Sequence, residues 1–221
     1  MDWSAAYVSV ALGVTTVGLL LPAGIWAGHA LARRHFRGKA IVEAAIAIPL
    51  ILPPTVLGFY LLHAFSTGSA LGAAFQQVMG HALAFSFPGL VLASAVANIP
   101  FVVQPIQRAF ESVPADVREA AACCGLTPWQ RFVRIEAPLA WPGILTAAIL
   151  AFAHTLGEFG VVLMVGGNIP GETRTLSIAI YDRMQAFDDR GAAQMAALLL
   201  VTVVAALAVT MALGQRVNRR G

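Results

Sequence analysis

The stretch EAAACCGLTPWQRFVRIEAP, from Glu119 to Pro138, is a compact charged interruption in a strongly apolar chain. The chain has 221 residues, of which 58% are hydrophobic and only 11% are charged, and its mean hydropathy is +0.77. A soluble domain usually carries about 25% charged residues. The composition therefore indicates an integral membrane protein, in which the charged stretch lies between segments that cross the bilayer.

The quoted stretch has the signals of two short helices joined by a turn. Gly125 favours the left-handed backbone conformation that commonly ends a helix. Thr127, followed three residues later by Gln130, is the pattern of a capping box and predicts that a second helix starts there. We expect the adjacent Cys123 and Cys124 to pack as small apolar residues in the first helix.

Five segments are long and apolar enough to cross a bilayer, which takes about 20 residues. The sequence predicts them near residues 5–31, 44–65, 84–107, 138–165 and 192–214. Within the first of them, Gly24 and Gly28 form a GxxxG pattern, which favours close contact with another helix. The predicted fold class is an all-α integral membrane protein with five transmembrane helices within residues 5–214. Residues 112–137 then lie on one side of the membrane, and a loop of residues 166–190 lies on the other.

The basic residues are distributed unevenly between the two sides. Most of the 14 Lys and Arg residues fall in the first and third connections and the tail, namely Arg33, Arg34, Arg37, Lys39, Arg108, Arg118, Arg131, Arg134, Arg216, Arg219 and Arg220. The remaining three are Arg174, Arg183 and Arg190. The positive-inside rule then predicts an N-terminus outside and a C-terminus in the cytosol. Positive loops at the surface of a lipid bilayer also account for the pI near 9.3 without a nucleic-acid partner.

Residues 112–137 allow two interpretations from their side chains alone. Trp129, Phe132 and Val133 alternate with Arg131 and Arg134, which gives a small surface that is partly apolar and partly basic. Such a surface can dock a partner protein outside the bilayer. It can equally be an interfacial helix with Trp and Arg at the level of the lipid headgroups. Both interpretations are open at this point.

The quoted stretch resembles the signature of membrane subunits of binding-protein-dependent ABC importers. The signature has Glu-Ala-Ala, a Gly after three more residues, and Ile-x-Leu-Pro after a further nine, and this spacing occurs here. The matching residues are Glu119, Ala120, Ala121, Gly125, Ile135 and Pro138, with Ala137 in place of the Leu. The resemblance implies a type I importer permease core, in which this stretch docks into a cytosolic ABC ATPase dimer. Residues 112–137 are therefore called the coupling segment, and Thr127, Trp129 and Arg131 are expected to contribute to its docking surface.

Further stretches look like the molybdate-type permeases in particular. They are GKAIVEAAIAIPLILPPTVLGFYLL, FSFPGLVLASAVANIPFVV, TLGEFG and GGNIPGETRTLSIAIY. Sulfate permeases share the first parts, whereas the segment that begins at Asn168 fits the molybdate branch better. The resemblance implies a permease subunit for molybdate or tungstate in a bacterial-type inner membrane. It also implies a second copy of the chain as partner, and an extracytoplasmic oxyanion-binding protein that delivers the substrate.

The energy for transport is expected to come from the partner ATPase. The sequence has no P-loop GxxxxGK[ST], no HExxH and no GxSxG. We therefore expect this chain to be no enzyme and to bind no cofactor, with ATP and Mg held by the ATPase. No pair of histidines has metal-ligand spacing on one helix face, so no metal site is predicted.

Prolines and one acid mark candidate positions for the translocation pathway. Pro53 and Pro54 interrupt the second span beside Thr55, and Asn98 lies close to Pro100 in the third. Such breaks are tolerated where backbone groups line a cavity, although they can also be kinks that only shape packing. Glu158 is the only acid deep in a span. Because a carboxylate would repel an anionic substrate, we favour a structural role for it.

The outer loop supplies the candidate contacts for a binding protein, namely Asn168, Glu172 and Arg174. Its apolar middle, LSIAIY, suits a short helix at the outer mouth, and a solvated loop fits the sequence equally well. Two alternative functions are a sulfate or thiosulfate ABC permease and an ion-coupled secondary transporter, which would need a charge relay within the spans. Molybdate and tungstate are alike in charge and shape, so the sequence predicts them equally.

Overall fold

The computed structural model describes the backbone of residues 2–218 and the side chains of residues 2–208 and 212. All regular structure in this range is helical. The helices are α1 (Trp3–Arg33), α2 (Lys39–Ile51), α3 (Pro54–Phe65), α4 (Ala70–Met79), α5 (Phe87–Glu111), α6 (Ala115–Cys123), α7 (Pro128–Arg131), α8 (Ala137–Gly157), α9 (Gly160–Gly166), α10 (Leu176–Gln185) and α11 (Asp189–Asn218). A π-helical turn, Phe132–Glu136, joins α7 to α8. Arg219 and Arg220, which the charge distribution places in the tail, lie outside the described residues.

Among the described residues, four helices are each long and apolar enough to cross a membrane. They are α1, α5, the continuous helix Pro128–Gly157 and α11 as far as Ala208. The helices α2 and α3 are long enough to cross a membrane only as a pair, and the chain bends by 106° between them. Pro53 and Pro54 explain this bend, because proline lacks the N–H of the helical ladder and disfavours helical backbone in the residue before it. The all-α membrane fold predicted from the sequence is confirmed, and segment 44–65 is a sharply bent pair.

The helices α1 and α5 pack closely against each other along the GxxxG pattern. Gly24 lies against Val102 of α5, and a Cβ placed on Gly24 would come within 2.3 Å of Val102 Cγ1. Gly28 lies against Ile106 in the same way, with 2.8 Å to Ile106 Cγ2. These distances are too short for any side chain, so the two glycines allow the backbones of α1 and α5 to approach.

The stretch predicted as the fourth span, residues 138–165, is interrupted near its end. Helix α8 ends at Gly157, and Glu158 and Phe159 separate it from α9. Gly160 starts α9 directly beside the start of α3, since a Cβ on Gly160 would lie 2.7 Å from Pro54 Cβ. The break between α8 and α9 and the break between α2 and α3 therefore lie side by side.

Residues 166–190 contain the short helix α10, which packs on the membrane helices rather than standing free. Leu176, Ile178 and Ala179 of α10 are buried. The N–H of Leu176 donates a hydrogen bond of 2.7 Å to the Ser9 hydroxyl of α1. The short helix that the LSIAIY run suggested is therefore present, and its apolar first half is tied to α1.

Candidate functional site

The first helix of the coupling segment, α6, ends in a Schellman motif at Gly125. The N–H of Leu126 bonds to the carbonyl of Ala121 at 3.2 Å, and the N–H of Gly125 bonds to that of Ala122 at 3.0 Å. Gly125 has φ of +78°, a conformation that strains any residue with a Cβ. The glycine of the signature is therefore what allows the chain to reverse direction between α6 and α7.

The second half of the coupling segment begins with the predicted capping box. The Thr127 Oγ1 accepts the N–H of Gln130 at 3.3 Å, and the Gln130 side chain accepts the N–H of Thr127 at 2.9 Å. Helix α7 then continues through the π-helical turn into α8. This part of the coupling segment is therefore continuous with a helix long and apolar enough to cross a membrane.

The residues proposed from the signature form a mostly exposed face. Glu119, Ala120, Gly125, Thr127, Trp129 and Pro138 are exposed, Arg131 is partly exposed and Ala121 is buried. The expectation that Cys123 and Cys124 are packed was wrong, since both are exposed and free. The reason is that α6 buries only Ala121. The docking role of this face stays a prediction.

A buried ion pair that the sequence did not suggest fixes the coupling segment to α1. Glu136 is only 7% exposed, and its Oε2 accepts hydrogen bonds of 2.9 Å from both Arg33 Nε and His29 Nε2. The available signal was an acid, Glu136, between the apolar residues Ile135 and Ala137 at the start of a predicted span. Its partners lie more than 100 residues away in sequence, so no local pattern could name them.

An aromatic cluster surrounds this ion pair. The His29 ring meets Phe110 and Phe132 edge-on, each with 4.9 Å between ring centroids, and Trp129 stacks on Phe132 at 5.6 Å. Phe110 belongs to α5 and is fully buried. The coupling segment thus packs against both α1 and α5.

The two neighbouring helix breaks border an open cavity of about 490 Å³. Pro54, Thr55 and Glu158, three of the predicted pathway residues, line it together with His154. The Glu158 Oε1 accepts the N–H of Val161 at 3.1 Å, so this carboxylate also holds the first turn of α9. The structural role favoured for Glu158 fits this bond, and its part in transport stays a prediction.

Asn98 lies behind the cavity rather than in its wall. It is fully buried, and its amide nitrogen donates to the Ser94 carbonyl at 2.8 Å and to Thr155 Oγ1 at 3.0 Å. Its amide oxygen faces His154 Nδ1 at 3.2 Å. Four polar residues of α5 and α8 thus form one hydrogen-bonded group, namely Ser94, Asn98, Thr155 and His154. His154 is the member that reaches the cavity. Pro53 is the residue that precedes α3 and does not line the cavity.

Two of the three candidate contacts of the outer loop are engaged within the chain. Asn168 donates to Asp182 Oδ2 at 2.7 Å and accepts from Arg174 Nε at 2.6 Å. Arg174 also lies 3.7 Å from carboxylate oxygens of Asp182 and Asp2. Glu172 is exposed. Asn168 and Arg174 therefore order the outer loop, and their contact with a binding protein stays a prediction.

The turn between α10 and α11 is held by Asp188. Its carboxylate accepts hydrogen bonds from the Arg183 guanidinium and, at 3.0 Å, from the N–H of Gly191. These bonds, that of Arg183 above all, hold the pKa of Asp188 below its ordinary value. Asp188 precedes the first residue of α11, which is the position where Asp caps a helix.

Comparison with known proteins agrees with this geometry. The family model described as "Binding-protein-dependent transport system inner membrane component" matches residues 21–220. The molybdenum transport system permease protein ModB of Azotobacter vinelandii is 46% identical over 187 residues, which cover 85% of this chain and 83% of that protein. ModB of Haemophilus influenzae is 34% identical over 220 residues, covering 100% and 95%. A probable sulfate transport system permease protein, cysT of Anthoceros angustus, is 32% identical over 171 residues, covering 77% and 59%.

Solved structures share the fold at low sequence identity. A bacterial ABC transporter involved in the import of the acidic polysaccharide alginate aligns with a TM-score of 0.71 at 17% identity, covering 98% of this chain and 78% of that one. An inward-facing MetNI methionine ABC transporter aligns with a TM-score of 0.70 at 18% identity, covering 97% and 93%. The chain therefore belongs to the family of inner membrane components of binding-protein-dependent transport systems, with the fold of an ABC importer permease.

Proposed function

We propose that this chain is the membrane-spanning permease subunit of an ATP-driven importer and forms the translocation pathway for molybdate or tungstate. The observation that carries the proposal is the 46% identity to a molybdenum permease over 85% of the chain. The sulfate relative is less similar, at 32% identity, and the match covers only 59% of that relative's length. Membership of a binding-protein-dependent family argues against the ion-coupled alternative.

The coupling segment is the part of the chain that meets the ATPase in this proposal. An exposed face with Glu119 and Trp129 is available for a groove on the partner. Its second half runs unbroken into α8, and the Glu136 ion pair joins it to α1. ATP binding and hydrolysis, with Mg, then take place on the separate ATPase subunits, and closure of those subunits moves α1 and α8 together.

The remaining partners follow from the same proposal. The N-terminus lies outside and the C-terminus in the cytosol, because most basic residues fall on the side of the coupling segment. A second copy of the chain completes the pathway. An extracytoplasmic oxyanion-binding protein docks on the outer loop, where Glu172 is exposed beside the ordered pair Asn168 and Arg174.

Transport by the complete importer tests the proposal. The chain is reconstituted in proteoliposomes with its ATPase and binding protein, and ATP-dependent uptake of radiolabelled molybdate is measured. Excess tungstate is expected to abolish uptake and excess sulfate to leave it nearly unchanged. Strong competition by sulfate would move the assignment to the sulfate or thiosulfate class, and absence of binding-protein-stimulated molybdate uptake would refute it.

Substitutions in the coupling segment test the docking role separately. Glu119→Arg reverses an exposed charge, and Gly125→Pro cannot adopt the φ of +78° that the turn requires. Both variants are expected to insert in the membrane but to lose copurification of the ATPase or coupled uptake. Arg37→Glu, a charge reversal at an exposed position outside the coupling segment, is the matched control. Normal uptake in both coupling variants would exclude the docking role.

A further inference from the structure

An open groove of about 250 Å³ lies between the C-terminal end of α1 and the second half of the coupling segment. One wall comes from a single face of α1, on which Trp26, Ala30 and Arg33 are spaced as i, i+4 and i+7. Trp129 and Phe132 form the opposite wall. Trp26 and Trp129 are 73% and 69% exposed, so both rings are available to another molecule.

The exposed tryptophans of α1 indicate the level of this groove in the bilayer. Trp3 and Trp26 are 67% and 73% exposed and lie 23 positions apart, which is about 35 Å along a helix. The hydrocarbon core of a bilayer is about 30 Å thick, and tryptophan is enriched at both of its boundaries. Trp26 therefore marks the boundary on the side of the coupling segment, and Arg33, about 10 Å further along α1, lies at the level of the headgroups. The groove extends from one level to the other.

The headgroup end of the groove is positively charged. Arg33 gives its Nε–H to Glu136 at 2.9 Å, and its Nη2, which is covered in the isolated chain, has no hydrogen-bond partner among the described residues. Glu136 cancels the charge of Arg33, but the exposed Arg34 leaves an excess positive charge, and none of the described residues that line the groove is acidic. Guanidinium groups bind phosphate oxygens through charge-assisted hydrogen bonds. The groove therefore suits a molecule with a phosphate at one end and apolar chains at the other.

We propose that this groove binds one anionic phospholipid from the leaflet on the side of the coupling segment. The phosphate contacts Arg34 and the outer edge of the Arg33 guanidinium, and the acyl chains pass Trp26 into the bilayer. The excess positive charge favours an anionic lipid over a zwitterionic one. A cytosolic protein fits less well, because the groove reaches the hydrocarbon boundary at Trp26.

A lipid in this groove contacts α1 and the coupling segment at once. Its binding therefore strengthens the contact between these two parts of the chain, in addition to the ion pair of Arg33 with Glu136. The inference goes beyond the proposed function and holds for any transported oxyanion.

Lipid binding by the purified full chain tests the proposal. The chain in detergent is titrated with dioleoyl phosphatidylglycerol or dioleoyl phosphatidylcholine, and bound lipid is counted by native mass spectrometry. One phosphatidylglycerol is expected to bind at least about fivefold more tightly than phosphatidylcholine, and Arg34→Gln is expected to weaken its binding about fivefold. Arg37→Gln removes the same charge from an exposed position that does not line the groove, so this matched control should bind like the wild type. Trp26→Ala shortens the apolar wall and should weaken binding of both lipids.

The outcomes distinguish a lipid from other occupants. Equal affinity for the two lipids overturns the inference, and so does equal binding by Arg34→Gln and Arg37→Gln. A large excess of inorganic phosphate should leave the lipid bound, and displacement would show that the arginines bind free phosphate instead. Addition of the ATPase subunits should also leave it bound, and its release would show that the groove is an ATPase contact. Failure of the importer to take up molybdate contradicts the proposed function alone, because lipid binding is measured without transport.

Discussion

The guanidinium of Arg33 and the carboxylate of Glu136 join the C-terminal end of α1 to the end of the coupling segment, with 2.9 Å between Nε and Oε2. The pair is largely buried, and His29 Nε2 donates a hydrogen bond to the same oxygen. A buried ion pair is costly to break, because each partner alone is an uncompensated charge. In the proposed importer, this pair lets movement of the coupling segment reach α1 without a loose connection.

Removing one partner of this pair is expected to destabilise the protein. Glu136→Leu leaves Arg33 buried without its counter-charge, which costs about 3 kcal/mol. Replacing both partners, in Glu136→Leu/Arg33→Met, is expected to recover most of that loss. Thermal unfolding of the purified protein in detergent measures both effects. Asp116→Asn, at an exposed acid of α6, is the control, and an unchanged melting temperature for Glu136→Leu would contradict the role of the pair.

A methyl group at the contact of α1 with α5 is expected to be unfavourable. In Gly24→Ala, the new Cβ lies 2.3 Å from Val102 Cγ1, and such overpacking costs about 1–3 kcal/mol. Adding Val102→Ala should relieve it. Gly18→Ala on the same helix is the matched control, since nothing lies within 4 Å of the added Cβ. Equal melting temperatures for Gly18→Ala and Gly24→Ala would show that the helices are further apart.

The exposed cysteines report on docking of the ATPase. Cys123 and Cys124 are free and exposed in the isolated chain, so a maleimide reagent is expected to label both rapidly. Labelling should slow at least about tenfold when the ATPase is bound, if the coupling segment enters its groove. The variants Cys123→Ser and Cys124→Ser assign the signal to each position. Equal labelling rates with and without the ATPase would place the docking surface elsewhere.

Maleimide labelling can also determine which side of the membrane each loop of the chain faces. In a variant with Cys123→Ser, Cys124→Ser and Glu172→Cys, a membrane-impermeant maleimide is expected to label intact spheroplasts, because residue 172 lies in the exposed outer loop. In the unsubstituted chain, Cys123 and Cys124 should react only after the membrane is permeabilised. The reverse pattern would invert the topology deduced from the basic residues.

Acid is expected to loosen the turn between α10 and α11. The folded-state pKa of Asp188 is lowered by the Arg183 hydrogen bond, so its contribution is present above the unfolded pKa, near 3.8, and is lost as the pH falls through the lower folded value. Hydrogen exchange at Gly191, corrected for its intrinsic pH dependence, should therefore accelerate at low pH. Asp188→Asn should remove this acid sensitivity, and persistence of it in that variant would point to another group.

Local signals in the sequence were sufficient to predict the membrane helices, several helix ends and the family of this protein. Long runs without charges predicted the membrane helices, Gly125 predicted the end of α6, and Thr127 with Gln130 predicted the capping box that the structure contains. Each of these features depends on residues within a few positions of one another. The spacing of the signature is of the same kind, which is why the family could be named from it.

Other features depend on residues that only the fold brings together. Cys123 and Cys124 were expected to be packed, but α6 has too few neighbours to cover them. The prolines at positions 53 and 54 predicted a break, whereas its 106° angle and its place beside Gly160 follow from the packing of α9. Neither the exposure of a small residue nor the angle of a proline break is specified by the residues next to it in sequence.

The sequence by itself determined the membrane class, the helical segments and the family, because apolar length, helix caps and a spaced signature are written locally along the chain. The tertiary structure decided the partners of the ionisable residues. Arg33 meets Glu136, which lies 103 positions further along the chain, and Asn98 holds His154 by a hydrogen bond. Charge in an apolar bundle is stable only where a partner meets it, and that partner is selected by packing rather than by sequence neighbourhood.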